Sequence, residues 1–363
     1  MNSKVTMDEI AKRVGVSKYA ISKALSGKSG VSEQTREKIL KIAHEVGYFN
    51  QPRVKNKYTR SVNRKSPADQ LEKSSIMILI PNIRLQSIES FYWGHIVDGI
   101  VGELNKNNLS MIITTEYLAD HASTLININE LLGIIIVGTI STSMLMAISQ
   151  LGLPIVTIDH EDRTIPIDSL FVDNQEGTTR VTEYLLQTGH TFIQFIGDID
   201  FSRSFKERWY GVRNTLENHG YTISQDEQLL HLNSLDIAQT KEQISSYLTN
   251  RWNPGDQRTA FVCANDDIAI ATLQVSKALH LNVPDKISIT GFDNIAISEQ
   301  TDPPLTTIHV NKEALGKRAV EILLRRYHNP DTTKEKILMA TELIIRSSTV
   351  CLDEPSSFIP INN

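Results

Sequence analysis

The sequence predicts an all-α helix-turn-helix head of three short helices followed by an α/β core of two doubly wound parallel-sheet lobes. Three observations lead there. Positions 6–47 carry helical apolar periods with capping residues; short runs apolar on both faces alternate with helical patterns from Ser75 onward; and a basic stretch without a sustained apolar period separates the two regions.

The first helix starts at a capping box, Thr6-Met-Asp-Glu9, in which the Thr6 hydroxyl takes the Glu9 amide and the Glu9 carboxylate reaches back to the Thr6 amide. Ile10, Ala11 and Val14 form its apolar face, and Gly15 supplies a left-handed turn. Ser17 caps a second helix that turns Ile21, Ala24 and Leu25 inward, which is helix-turn-helix spacing. After the turn-like Gly27–Gly30, Ser32 caps a third helix with Ile39, Ile42, Ala43 and Val46 on one side, closed by Gly47.

Residues 49–74 read as a linker. Arg53, Lys55, Lys57, Arg60, Arg64 and Lys65 come before the next acid, Asp69. Beyond it, Ser75–Pro81, Ser110–Glu116, Leu132–Gly138 and Pro154–Asp159 are short apolar runs separated by helical patterns such as Phe91–Asn107. The pattern restarts with a helix over Glu176–Thr188, the run Thr191–Gly197, a helix over Arg208–His219, the run Ala260–Asp266, a helix through Leu279 and the run Lys286–Asp293. Runs apolar on both faces imply parallel sheets covered on both sides.

Composition narrows the function. The 363 residues predict two or three folding units. Cys263 and Cys351 show no metal or disulfide spacing, and no run suggests an export signal or a membrane span, so a cytoplasmic protein is expected. Residues 1–75 hold 16 Lys+Arg against 7 Asp+Glu, net +9, leaving 21 against 35, net −14, for the remainder. A basic head on an acidic body suits a head that meets a polyanion. Among ten histidines none stands in an HExxH context, and GxSxG and GxxxxGK[ST] are missing, so no catalytic residue, metal or cofactor is expected.

The exposed face of the second helix offers Lys18, Tyr19, Ser22 and Lys23, donors placed as major-groove reading of DNA requires. Solvated surface is the plain alternative for such a face, but capping box, glycine turn, trihelical length and local charge together favour double-stranded DNA as partner. In the core, Tyr92, Trp93, Asp159, Ser204, Arg208, Asn265 and Asp293 lie after or at strand ends, where open parallel sheets bind ligands. An aromatic pair offers a ring to a sugar or purine, or simply packs; a carboxylate and a guanidinium suit vicinal hydroxyls, or pair with each other. Asp266 is read as the cap of the following helix and left out of the site.

These residues resemble the lactose/galactose repressor (LacI/GalR) family of bacterial transcription regulators. The matching head runs from Met7 to Tyr48, and the similarity continues through Asp173-Asn174, Leu185–His190, Asn265–Ala269, Val283–Asn294, Pro304–Ile308 and Leu315–Leu324. The resemblance implies a helix-turn-helix DNA-binding domain at 1–48, a hinge at 49–74 and an effector-binding and dimerisation core at 75–363, two-lobed like periplasmic sugar-binding proteins. The implied chain crossings near 174, 305 and 334 give lobe 1 residues 75–173 and 306–333, and lobe 2 residues 174–305 and 334–363. Arg208 and Asp293 are the implied leading ligand contacts, with Asn265 and Asp159 next.

One departure is specific. Family members place Ala-x-x-Leu in a hinge helix whose leucine wedges into the minor groove, whereas this chain has Val54-x-x-Lys57. Either Val54 or Tyr58 substitutes, or the linker grips DNA through its cations, or it is a disordered basic tether with no such role. The candidate DNA contacts are therefore Thr6, Ser17, Lys18, Tyr19, Ser22, Lys23 and Ser32 in the head and Val54 and Lys57 in the hinge. The expected function is that of a homodimeric, ligand-responsive transcriptional regulator, a repressor of carbohydrate-utilisation genes with a sugar-like effector. A purine or nucleoside effector and control by a partner protein are the alternatives. The tail, Asp353–Asn363, lacks heptads, so a four-chain assembly through a terminal coiled coil is not expected.

Overall fold

A computed structural model describes residues 6–25, 35, 38, 39, 42, 75–81, 92–115, 130–234, 236–250 and 259–350. The chain divides into two compact units, Met1–Gln70 and Leu71–Asn363. Ser32, Val54, Lys57, the 49–74 linker, the tail and the Glu9 side chain of the capping box lie outside the described residues.

In the first unit, α1 (Met7–Val14) and α2 (Lys18–Leu25) are joined through Gly15, whose φ of 79° only glycine adopts without strain. Ser17 caps α2 by accepting the Ala20 amide at 3.2 Å, as its position in sequence suggests. Thr35, Lys38, Ile39 and Ile42 are helical. Ile10, Val14, Ile21, Ala24 and Ile39 bury together, so three helical segments share one core.

The second unit contains two six-stranded sheets. Sheet 1 has β1 (Ser75–Ile80), β2 (Ser110–Thr115), β3 (Leu131–Val137), β4 (Ile155–Ile158), β5 (Asp168–Val172) and β11 (Lys336–Met339), in the order β11-β5-β4-β3-β1-β2. Every pairing in it is parallel. Sheet 2 has β6 (Phe192–Gly197), β7 (Leu229–His231), β8 (Thr259–Cys263), β9 (Ile287–Asp293), β10 (Thr306–His309) and β12 (Glu342–Ile344), in the order β12-β10-β9-β8-β6-β7. Only β12 runs antiparallel.

Both faces of each sheet are covered, which is why the strands read as continuous apolar runs. In β1, Ile76, Ile78 and Ile80 face one core while Met77 and Leu79 face another with Leu145 and Ile148 of α4 (Thr142–Ser149). The first face is closed by α3 (Trp93–Lys106) and α9 (Lys312–His328). Their backbones touch: a Cβ on Gly316 would lie 2.0 Å from the Ile96 carbonyl oxygen, and one on Gly99 would lie 2.1 Å from that of Glu313. In lobe 2, α5 (Asn174–Gln187), α6 (Arg203–Asn218), α7 (Ile237–Asn250) and α8 (Asp266–Ala278) flank the sheet. Among the described residues no helix is long and apolar enough to cross a membrane.

The lobe exchanges differ from the expected ones. Thr306–His309, expected in lobe 1, pairs with β9 of sheet 2, and Lys336–Met339, expected in lobe 2, pairs with β5 of sheet 1. The crossings therefore fall at residue 173, at 310–311 and at 340–341. A buried pair explains the last displacement: Arg326 at the end of α9 grips Asp168 of β5 through Nε (2.8 Å) and Nη2 (2.9 Å), and also bonds the carbonyls of Pro330, Thr332 and Thr333. The loop after α9 is thus held against β5, and β11 joins sheet 1 before the chain leaves. Helix α6 begins at Arg203, five residues before its expected start, because Ser202 caps it by accepting the Phe205 amide.

Candidate functional site

The C-terminal ends of the strands of both lobes face a cavity of about 1160 Å³. All seven residues singled out in the core, Tyr92, Trp93, Asp159, Ser204, Arg208, Asn265 and Asp293, line it. Lobe 1 contributes Asp159, the residue after β4, and the Tyr92–Trp93 pair at the start of α3. Lobe 2 contributes Ser204 and Arg208 from the first turns of α6, Asn265 before α8 and Asp293 at the end of β9.

Arg208 is the buried centre. Its Nε donates to Asn174 Oδ1 (2.9 Å), Nη1 to the Ala264 carbonyl (2.6 Å) and Nη2 to Asp293 Oδ1 (3.2 Å). The guanidinium also lies 3.7 Å from the centroid of the Phe292 ring. Helix α6 brings it this close because residue 211 is glycine: a Cβ there would lie 2.1 Å from Thr178 Oγ1 and 2.4 Å from the Gln175 carbonyl oxygen on α5. Arg208 and Asp293 therefore do pair with each other, and their groups remain at the cavity wall. Asp293 Oδ2 has no partner among the described residues.

Burial raises the pKa of Asp293, opposed by the charges of Arg208 and Lys312. Burial likewise raises that of Asp159, whose Oδ1 accepts the Ser204 hydroxyl across the lobes at 2.6 Å. Both carboxylates sit on backbone of positive φ, 58° at Asp159 and 107° at Asp293, a strained conformation that turns these residues where the strands end. Tyr92 and Trp93 pack edge to face with centroids 4.9 Å apart. The Tyr92 hydroxyl is pushed well above its ordinary pKa by burial and then by the neighbouring carboxylates Asp159 and Asp293.

One reading of α8 is corrected. Asn265, not Asp266, is the cap: its Oδ1 accepts the Ile268 amide at 3.0 Å. Asp266 is one residue inside the helix and buried, where it accepts the Ile295 amide (2.8 Å) and the Thr307 hydroxyl (2.5 Å); burial pushes its pKa up to about 7. Asn265 still lines the cavity, with its amide nitrogen unpartnered among the described residues.

The structure adds residues that sequence reasoning did not place in the site. Asn174, quoted only as part of a motif, orients Arg208 and donates to Glu207 Oε2 at 3.1 Å. Lys312, the first residue of α9, bonds the carbonyls of Asp293, Asn294 and Val310. A buried lysine at a helix start carries no signal in one sequence. Asn174 and Lys312 support the cavity wall from behind, whereas His160 lines the cavity itself and follows Asp159 without any motif.

In the head, α2 exposes Lys18, Tyr19 and Ser22, with Tyr19 69% accessible, and Lys23 Nζ lies 4.9 Å from the Tyr19 ring centroid. The structure brings these side chains to one outer face. Thr6 and Ser17 are exposed nearby in sequence, Ser17 serving as the α2 cap.

Comparison with known proteins gives two family matches. Residues 6–51 match "Bacterial regulatory proteins, lacI family" and residues 182–349 match "Periplasmic binding protein-like domain". The probable HTH-type transcriptional repressor ExuR of Bacillus subtilis (strain 168) is 29% identical over 349 residues, covering 95% of this chain and 98% of that protein. The HTH-type transcriptional repressor CytR of Escherichia coli (strain K12) is 28% identical over 352 residues, 96% of this chain and 97% of that protein. Among solved structures, the transcriptional regulator CelR–cellobiose complex superposes with a TM-score of 0.66 at 19% identity, covering 95% of this chain and 99% of that one. The lac repressor dimer bound to operator and an anti-inducer gives 0.65 at 22% identity, 96% and 100%.

Proposed function

From the premise that this chain belongs to the lacI family of bacterial regulatory proteins, we propose that it is a repressor whose two-lobed core couples a small polyhydroxylated effector, a carbohydrate, to operator binding. The observation that carries the proposal is the Arg208–Asp293 pair in a cavity between lobes, tied through Asn174 to the first crossing of the chain. Asp293 Oδ2 and Asp159 Oδ2 are acceptors for ligand hydroxyls, and the Tyr92–Trp93 rings offer an apolar face to a sugar ring.

The head acts as one half of a reader. A single helix-turn-helix covers a half-site, so a two-fold homodimer on a near-palindromic operator is the arrangement that fits. Lys18, Tyr19, Ser22 and Lys23 read base edges or phosphates from α2, with Thr6, Ser17 and Ser32 at helix starts, and Val54 and Lys57 act from the hinge. Effector binding rotates one lobe against the other, and the change reaches operator affinity only insofar as the effector binds the two states unequally.

A purine or nucleoside effector is the second reading, supported by an aromatic pair, Tyr92 and Trp93, in the cavity wall and by relatives named PurR and CytR. One experiment tests both. Operator sequence is selected from random duplexes with the full chain, and fluorescence anisotropy on that duplex is then repeated with sugars, sugar acids and nucleosides. A chain that enriches no sequence sinks the DNA-binding half; a selected operator whose affinity responds to no compound sinks the effector half.

A further inference from the structure

Building on the effector reading above, we infer that Glu207 is a positioning residue that ties the orientation of the Arg208 guanidinium to the position of lobe 1. Its two carboxylate oxygens serve different partners. Oε1 ion-pairs with Arg203 Nη2 at 2.7 Å, and Oε2 accepts from Asn174 Nδ2 at 3.1 Å. Asn174 Oδ1 in turn accepts from Arg208 Nε at 2.9 Å.

The Arg203 side of this bridge crosses between the lobes. Arg203 is the first residue of α6 in lobe 2, yet its guanidinium lies 3.9 Å from the centroid of the Phe171 ring in β5, and its Nε lies 3.4 Å from Glu161 Oε2, both in lobe 1. Glu161 is itself held, its other oxygen pairing with Lys336 of β11. Partly exposed ion pairs contribute little one at a time, but here a ring and two carboxylates converge on a single guanidinium and fix it from both lobes.

The Asn174 side fixes an orientation. Arg208 Nε–H can only donate, so the side-chain oxygen of Asn174 faces it and the amide nitrogen faces Glu207 and the Val172 carbonyl. The Glu207 carboxylate therefore helps to hold the amide in the sense that Arg208 requires. Helical spacing makes the bridge possible. Arg203 and Glu207, four apart, share one face of α6, while Arg208 is turned by about 100° from Glu207 into the buried centre. An unbroken run then leads from lobe 1 to the ligand-reading group through Glu161, Arg203, Glu207, Asn174 and Arg208. A ligand that shifts Arg208 and a lobe that shifts Glu161 act on the two ends of one network, and such coupling is reciprocal.

The test needs no effector. The full chain is labelled with 15N-arginine, and the Arg208 Nε–H signal is identified by its loss in Arg208→Lys, or in Arg208→Gln where that variant fails to fold. Glu161→Gln removes a lobe-1 charge whose oxygens meet Lys336 and Arg203. It is expected to move the Arg208 signal by more than its linewidth in the parent chain and to leave it still in a Glu207→Gln chain. Glu207→Gln is expected to speed solvent exchange of the Arg208 Nε–H about tenfold. A merely structural Glu207 would lower the unfolding midpoint without making the effect of Glu161→Gln depend on it. An Arg208 signal indifferent to Glu161→Gln overturns the inference, as does movement of equal size with and without the Glu207 carboxylate. Should Glu207→Gln fail to fold, Arg203→Gln takes its place, because it cuts the same run one residue earlier. If the spectra behave as expected and the operator assay above responds to no compound, the bridge stands as a link between the lobes and the effector reading alone falls.

Discussion

Arg208 Nε donates to Asn174 Oδ1 at 2.9 Å, joining the centre of the cavity to the first residue of the helix that begins where the chain leaves lobe 1. The residue proposed to sense a ligand is bonded to the residue that follows the first crossing between the lobes, and Arg208→Ala cuts that bond. It also leaves the buried Asp293 without its guanidinium. The variant is expected to lose effector response while retaining operator binding, and to be about 3 to 5 kcal/mol less stable in denaturant unfolding of the core. A response equal to the parent's would show that the ligand is read elsewhere.

Asp266 makes stability depend on pH in a defined window. Its folded pKa of about 7 lies above the ordinary 3.8, so below 3.8 the carboxyl is protonated in both states and costs nothing. As pH rises from 3.8 toward 7 the unfolded chain ionises first, and the folded state progressively loses relative stability. Asp266→Asn is expected to flatten the unfolding free energy across that window, read by urea titrations at a series of pH values.

The Asp168–Arg326 pair is expected to behave as an all-or-none staple. With side chains 0% and 3% exposed, removing either partner takes from the other buried charge its two-bond counter-ion, leaving Asp168 only Lys334 at 3.8 Å and the Glu335 amide, and costs about 3 to 5 kcal/mol. Asp168→Asn combined with Arg326→Met is expected to cost less than the two single changes added together, which a double-mutant cycle measures. Simple additivity would show that the carbonyl bonds of Arg326 outweigh its ion pair.

Glycine substitutions separate close packing from helix propensity. Gly316→Ala drives a methyl against the Ile96 backbone and is expected to destabilise the core by about 1 to 3 kcal/mol. Gly102→Ala, on the open side of α3 with nothing within 4 Å, is expected to be neutral or stabilising by about 1 kcal/mol. Thermal midpoints of the two variants give the comparison.

Operator binding is expected to be steeply salt-dependent. If roughly six phosphates are neutralised per dimer, log affinity falls against log salt with a slope of about −5. Lys18→Ala and Tyr19→Ala are expected to alter which sequence is preferred, whereas loss of linker cations such as Lys57 weakens binding to all duplexes alike. Anisotropy titrations at several salt concentrations distinguish these outcomes.

Much of this arrangement is legible in the sequence. Gly15, Ser17 and the periodic Ile10, Val14 and Ile21 encode the head locally, and α2 begins where its cap predicts. Arg208 and Asp293 stood at recognisable helix and strand positions and converge on one cavity. What failed was non-local. The four-residue strands β10 and β11 are assigned to a sheet only by their partners, so the lobe exchanges were placed about five residues early. Asn265 and Asp266 are both able to cap a helix, and only the Ile268 amide decides between them. Lys312 acquires its contacts from atoms distant in sequence, the carbonyls of Asp293 and Asn294.

The three crossings between the lobes contain one, two and two residues, at 173, 310–311 and 340–341. Connections so short leave the lobes little freedom to slide, so a swing about the line through them is the expected mode of relative movement. Travel then grows with distance from that axis. In such a swing the atoms beside Asn174 and Lys312 would shift least and the far rims of both lobes most, so a small adjustment near Arg208 would be enlarged by leverage.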